Sequence, residues 1–309
     1  MRTLEQLQQL QLDQLEHLEE EHPGAYAYVT NDQPTRAELE PGMIDDRFLL
    51  HYTKEEECSL LQLCAFFGKI QHIEALGLSD EQFKERVQED DFSAIRLAAE
   101  NGHLATIQYL ERPLSDEERK EAVTASDYAP IYYAAINGHV DTIQYLERYL
   151  SPEQRTAAVK VRNYEVITSA AETNNLASIQ YLERHLSLSE RNEAAKVDGY
   201  AAIRNAAEND DLASIKHFES YLNPQEKEEA IQMNDYFVIW CAVESDDVAI
   251  IEHFLNTQEC AFLFMEAHDM EYGAQYIYPW VTEQIARLQQ AKRVFEEENP
   301  RGEFIVDEA

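Results

Sequence analysis

Apolar residues recur along this chain with two superimposed rhythms, a local one of three to four residues and a long one of 36. Ala98, Ala134, Ala170, Ala206 and Ala242 each open a small-residue pair, and each follows the last by 36 residues. Three residues before each stands an isoleucine (Ile95, Ile131, Ile167, Ile203, Ile239), and three before that an aromatic (Phe92, Tyr128, Tyr164, Tyr200, Tyr236). Spacings of three and four fall on one helical face, so these residues predict a helix A whose stripe is core and whose alanines let neighbouring helices come close.

A turn follows, Glu100-Asn101-Gly102-His103 in one copy and Ile136-Asn137-Gly138-His139 in the next, with Asn174, Asp210 and Asp246 at the glycine position later. Gly, Asn and Asp share a tolerance of the left-handed conformation, so the substitution pattern itself predicts a helix C-cap. Helix B then carries Leu104, Val140, Leu176, Leu212 and Val248, the isoleucines Ile107, Ile143, Ile179, Ile215 and Ile251, and finally Leu110, Leu146, Leu182, Phe218 and Phe254. Ser115-Asp116-Glu117-Glu118, Ser151-Pro152-Glu153-Gln154, Ser187-Leu188-Ser189-Glu190 and Asn223-Pro224-Gln225-Glu226 all read as reciprocal capping boxes and predict a short third helix. An irregular copy precedes these, because Gly68, Ile70, Ile73 and Leu76 match at an offset of 34 whereas Leu78, Ser79 and Val87 match at 36.

A unit of this size buries its apolar face only against its neighbours. The expected fold is therefore an all-α solenoid of about six three-helix repeats over residues 55–270. An N-terminal helical cap and irregular wrap (1–54) would precede it, and a C-terminal capping helix with an acidic tail (271–309) would follow. Leu4, Leu7, Leu10, Leu12, Leu15 and Leu18 are spread too broadly for a strict coiled-coil seam and predict a helix that packs on the array rather than one that dimerises, so the chain reads as monomeric. Tyr272, Tyr276, Tyr278 and Trp280 read as the hydrophobic seal of the last repeat, with a binding site as the alternative.

Composition narrows the partner. With 25 Lys and Arg against 60 Asp and Glu the formal charge is −35, a field that repels nucleic acid and anionic membrane and steers a basic protein surface inward. No apolar run spans a bilayer and the amino terminus lacks a secretory core, so a soluble, unprocessed, cytoplasmic chain is expected. Cys58, Cys64, Cys241 and Cys260 form no metal-type pair and read as reduced, small apolar residues.

The stretch Ala129-Pro130-Ile131-Tyr132-Tyr133-Ala134-Ala135-Ile136-Asn137-Gly138-His139, continuing to Ile143 and Leu146, resembles the ankyrin repeat, whose core reads T-P-L-H-x-A-A-x-x-G-H. The match covers the first two thirds of each unit. It departs where that family has a glycine-containing β-hairpin finger, because a capped helix stands there instead, and the period is 36 rather than 33. The resemblance implies ankyrin-like packing of helices A and B and a protein-interaction scaffold without catalytic or cofactor sites. Divergent arrays of this kind also resemble effectors that intracellular bacteria deliver into the host cytosol, and the tail Phe295-Glu296-Glu297-Glu298-Asn299 resembles their glutamate-rich export signals.

Candidate partner-binding residues follow from repeat position. Glu100, Glu172, Glu208 and Glu244 share one position, with Ile136 as the exception, and in the ankyrin arrangement it lies along the concave rim. Helices stacked about 8–10 Å apart hold such carboxylates within about one Debye length of each other, a ladder suited to Lys or Arg of a partner. Tyr132, Tyr133, Phe237 and Trp240 are large aromatics at helix A positions where other copies are small or polar, beside Arg96 and Arg204, and serve as candidate hot spots.

Phosphate loops, H-E-x-x-H and G-x-S-x-G are all missing. His103 and His139 occupy the turn position that braces adjacent turns in the ankyrin pattern, and His217 and His253 recur where Tyr109, Tyr145 and Tyr181 stand, so neither set suggests a metal. The expectation is a non-enzymatic, cofactor-free adaptor, effector or inhibitor that binds a basic protein surface through its concave face. The alternatives are an enzyme or enzyme regulator with a site built by the terminal segments, and an acidic mimic of nucleic acid.

Overall fold

A computed structural model describes residues 60–245 together with 247, 249, 250, 253 and 254, except the side chains of Leu60, Asp235, Tyr236, Trp240, Val243 and Glu244. The expected caps at 1–54 and 271–309, the aromatic segment from Tyr272 to Trp280, Cys58, Cys260 and Asp246 lie outside the described residues. Among the described residues there are helices and turns and no strand, the all-α solenoid class that the 36-residue period calls for. They divide into two compact units between Leu186 and Ser187.

The first unit holds α1 (Leu60–Phe66), α2 (Ile70–Ala75), α3 (Asp80–Glu100), α4 (Leu104–Leu110), α5 (Asp116–Ile136), α6 (Val140–Leu146), α7 (Pro152–Glu172) and α8 (Leu176–Leu182). The second holds α9 (Leu188–Glu208), α10 (Leu212–Glu219) and α11 (Pro224–Glu244). Within the first unit α1, α3, α5 and α7 stack in chain order, each against the next, and α4 packs on α6 and α6 on α8. Within the second unit α9 packs on both α10 and α11.

The helix A stripe is the floor of this packing: Ile95, Ile131, Ile167 and Ile203 are almost wholly buried, and their alanine pairs are sealed. Helix B contributes Ile107, Ile143, Ile179 and Ile215 together with Leu110, Leu146, Leu182 and Phe218, all removed from water. Each such side chain contributes about 1.5–3 kcal/mol relative to exposure.

The long helices α3, α5, α7 and α9 are each two helices joined by a left-handed turn. In α3 the backbone is extended at Glu89 and then takes positive φ at Asp90, Asp91 and Phe92 before helix A begins. The same step recurs at Ser126-Asp127-Tyr128, Arg162-Asn163-Tyr164 and Asp198-Gly199-Tyr200, and it begins again at Asn234. The aromatic assigned to helix A by its spacing is thus the last residue of this turn. Pro130 consequently sits in the first turn of a fresh helix, where its missing N–H costs nothing. A non-glycine residue held left-handed costs about 1–2 kcal/mol. Burial of the Phe92, Tyr164 and Tyr200 rings and a Ser126 hydroxyl bond to Asp91 at 2.6 Å offset that cost.

The predicted caps are all present. Ser79, Ser115, Ser151 and Ser187 each accept from the amide three residues on, and Gln82, Glu118, Gln154 and Glu190 each return a bond to the capping residue's own amide. Asn223 and Glu226 complete a fifth box at 3.0 Å in both directions. The turn glycines also behave as read: Gly68, Gly102 and Gly138 have positive φ, as do Asn174 and Asp210 at the same position.

Candidate partner-binding face

The turns that precede helix B are tied across repeats. The His103 ring lies against Gly68 and bonds the backbone of Phe66, and the His139 ring lies against Gly102 and bonds the backbone of Glu100. Asn175 does the same work with an amide, donating to the Ile136 carbonyl at 2.5 Å. Burial pushes both imidazoles below their usual value, so they serve as neutral struts.

A second ladder runs along the far end of helix B and was not anticipated. Glu111, Glu147, Glu183 and Glu219 recur at the 36-residue period and are each nine-tenths or more buried. Tyr145 and Tyr149 both donate to Glu111 Oε2, at 2.6 and 2.8 Å. Tyr181 donates to Glu147 at 2.7 Å with the His185 ring 3.0 Å away, and in the second unit the His253 ring stands 2.7 Å from Glu219. Burial raises the Glu111 carboxyl above the ordinary range, the two hydroxyl bonds opposing it. Arg112, Arg148 and Arg184, each just past the end of α4, α6 or α8, stack over Tyr109, Tyr145 and Tyr181 of those helices at 5.1, 4.8 and 5.2 Å.

On the helix A side the candidate residues are distributed unevenly. Tyr132 and Tyr133 meet edge to face at 5.2 Å, half-buried, with Arg96 over the Tyr133 ring at 5.3 Å and the Tyr132 hydroxyl on Ser169 at 3.1 Å. They line an open groove of about 290 Å³ whose other walls are the turn tips of α5 and α7. There Arg162, 59% exposed, reaches Asp127 at 3.3 Å and Glu165 at 3.6 Å. Among the described residues two arginines and two carboxylates line this groove, a balanced set although the chain carries −35.

Glu100 is half-exposed and lies 3.7 Å from Arg96 at the edge of that groove. Glu172 is exposed on α7, but α5 with Ile136 stands between the two, so the carboxylate ladder is interrupted within the first unit. Glu208 is exposed and Phe237 half-buried in the second unit, and the side chains of Glu244 and Trp240 lie outside the described residues. Arg204 folds back on its own left-handed turn, donating to the Asp198 carbonyl at 2.9 Å and to that of Gly199. Cys64 and Cys241 are buried and neither forms a disulfide among the described residues, and burial raises the Cys64 thiol. No group of three metal-type ligands occurs among the described residues, and none of their helices is long and apolar enough to cross a membrane.

No protein-family model matches the chain, and no curated protein matches it. Among solved structures it is similar to an ankyrin repeat family protein from Legionella pneumophila. The identity is 18%, over 72% of this chain and 77% of that one, with a TM-score of 0.31. The resemblance to ankyrin repeats is one of sequence pattern, carried by the helix A, turn and helix B residues.

Proposed function

We propose that this chain is a non-enzymatic protein-interaction module that captures a basic protein surface on its helix A face. One observation carries the reading: two tyrosines that the repeat does not require stand half-buried in an open groove, edge to face, with an arginine stacked behind them. Tyrosine gives large contact area at little entropic cost, and arginine and tyrosine dominate interface hot spots. The balanced groove supplies the anchor pocket, while the surrounding excess of carboxylates supplies long-range attraction. The glutamate-rich tail supports a role as a delivered bacterial effector by its sequence alone.

The test uses paired baits, the unaltered chain and a Tyr132→Ala/Tyr133→Ala variant, to capture proteins from a lysate for identification by mass spectrometry. Proteins that bind through this face are lost from the variant and present surfaces rich in Lys and Arg. An unchanged set of captured proteins would overturn the reading.

A further inference from the structure

The first repeat breaks the helix B ladder at three positions together. Where later repeats bury Glu111 or Glu147, it has Gly77 at the 34-residue offset. Where Arg119 and Arg155 donate to the carbonyls of Glu111 and Glu147, it has Phe83, and where Tyr149 or His185 supplies the second donor, it has Pro113. Only the tyrosine remains, as Tyr109. Its ring meets Phe83 at 5.6 Å, tilted by 58°, with Arg112 over its face. The outcome is an open groove of about 640 Å³ between α2, α3 and α4, floored by two aromatic rings and a proline.

The rim carries three exposed carboxylates, Glu74, Asp80 and Glu81, none of them ion-paired within the described residues. The two cations of the rim are engaged: Lys84 holds Glu118 at 2.7 Å and Arg112 lies on Tyr109. Among the described residues the free charge at the groove is therefore negative.

We infer that this groove binds a proline-rich segment of a partner protein in the polyproline II conformation, flanked by arginine or lysine. Pyrrolidine rings pack on aromatic floors without needing a strand edge, and the preformed extended helix loses little entropy on docking. The unpaired carboxylates select a flanking cation and disfavour an acidic segment. This surface is separate from the Tyr132 and Tyr133 groove, so the two readings stand or fall independently.

The test is fluorescence anisotropy of a labelled six-residue peptide, four prolines with an arginine at each end, titrated with the full chain. Saturable binding that weakens with added salt is expected, and Phe83→Arg, which restores the residue type of the later repeats, should weaken it about tenfold or more. Tyr133→Ala should leave it unchanged. If Phe83→Arg does not fold, as judged by its melting curve, Glu74→Lys combined with Glu81→Lys decides the matter by the same loss. The inference is overturned by failure to saturate, by full affinity in a folded groove variant, or by equal binding of a peptide with glycine in place of every proline.

Discussion

Glu111 is 2% exposed and accepts two tyrosine hydroxyls on one oxygen, so removing it takes the acceptor from both half-buried tyrosines. Glu111→Ala should cost about 2–4 kcal/mol in chemical denaturation, and Glu111→Gln, which keeps an acceptor, clearly less. The struts at the turns give a pH signature of opposite origin. His139 has a lowered folded pKa, so its contribution is intact above the imidazole's usual value of 6.5 and is lost as pH falls below it. His139→Asn, which copies Asn175, should remove that part of the acid sensitivity, seen as a smaller fall in melting temperature between about pH 7 and 5. The struts were legible in the sequence because they occupy a known turn position. The buried glutamates were not, because Tyr-Leu-Glu-Arg at a helix end reads as a solvated charge. The signal that finds them is the recurrence of Glu at 111, 147, 183 and 219 with a Tyr or His 34 residues after each of them.

The helices themselves were legible wherever the determinant is local: five caps and the left-handed turn positions fall where the residue types put them. The left-handed step before helix A was hidden, since Phe92, Tyr128, Tyr164 and Tyr200 keep helical spacing to the following isoleucines although they stand at positive φ. Asp, Ser, Asn and Gly ahead of them are the trace it leaves. At Gly199, φ is +65° and an added Cβ would approach Arg204 and Met233 at 3.3 Å. Gly199→Ala should therefore cost about 1–2 kcal/mol, and Asn163→Gly at the equivalent position should gain up to about 1 kcal/mol. Thermal melting of the two variants checks both signs. Glu118 adds a pH term at this scale: the Lys84 ion pair and the Ser115 cap hold its carboxyl down to about 2. Its contribution is present above the usual carboxylate range and lost as pH falls toward that value, and Glu118→Gln should flatten this acid limb.

At the scale of the whole molecule, an excess of 35 negative charges opposes any compact state. Raising salt from about 0.05 to 0.5 M should lift the melting temperature by a few degrees as repulsion is screened, which calorimetry would show. Of the candidate face, the Tyr132 and Tyr133 pair was readable as aromatics out of place, whereas Arg162, Asp127 and Glu165 join them only through the turn tips, which no local pattern marks. The buried-carboxylate ladder has a consequence for how such a gene can change length. Each of its bonds joins residues 34 or 38 apart, so excision of 112–147 leaves Glu111 at those same separations from Tyr181 and His185. A recombination event that drops whole periods therefore restores every rung it cuts, while a cut through the ladder of any fractional length strands a carboxylate; array length is free to vary by copies, and by nothing smaller.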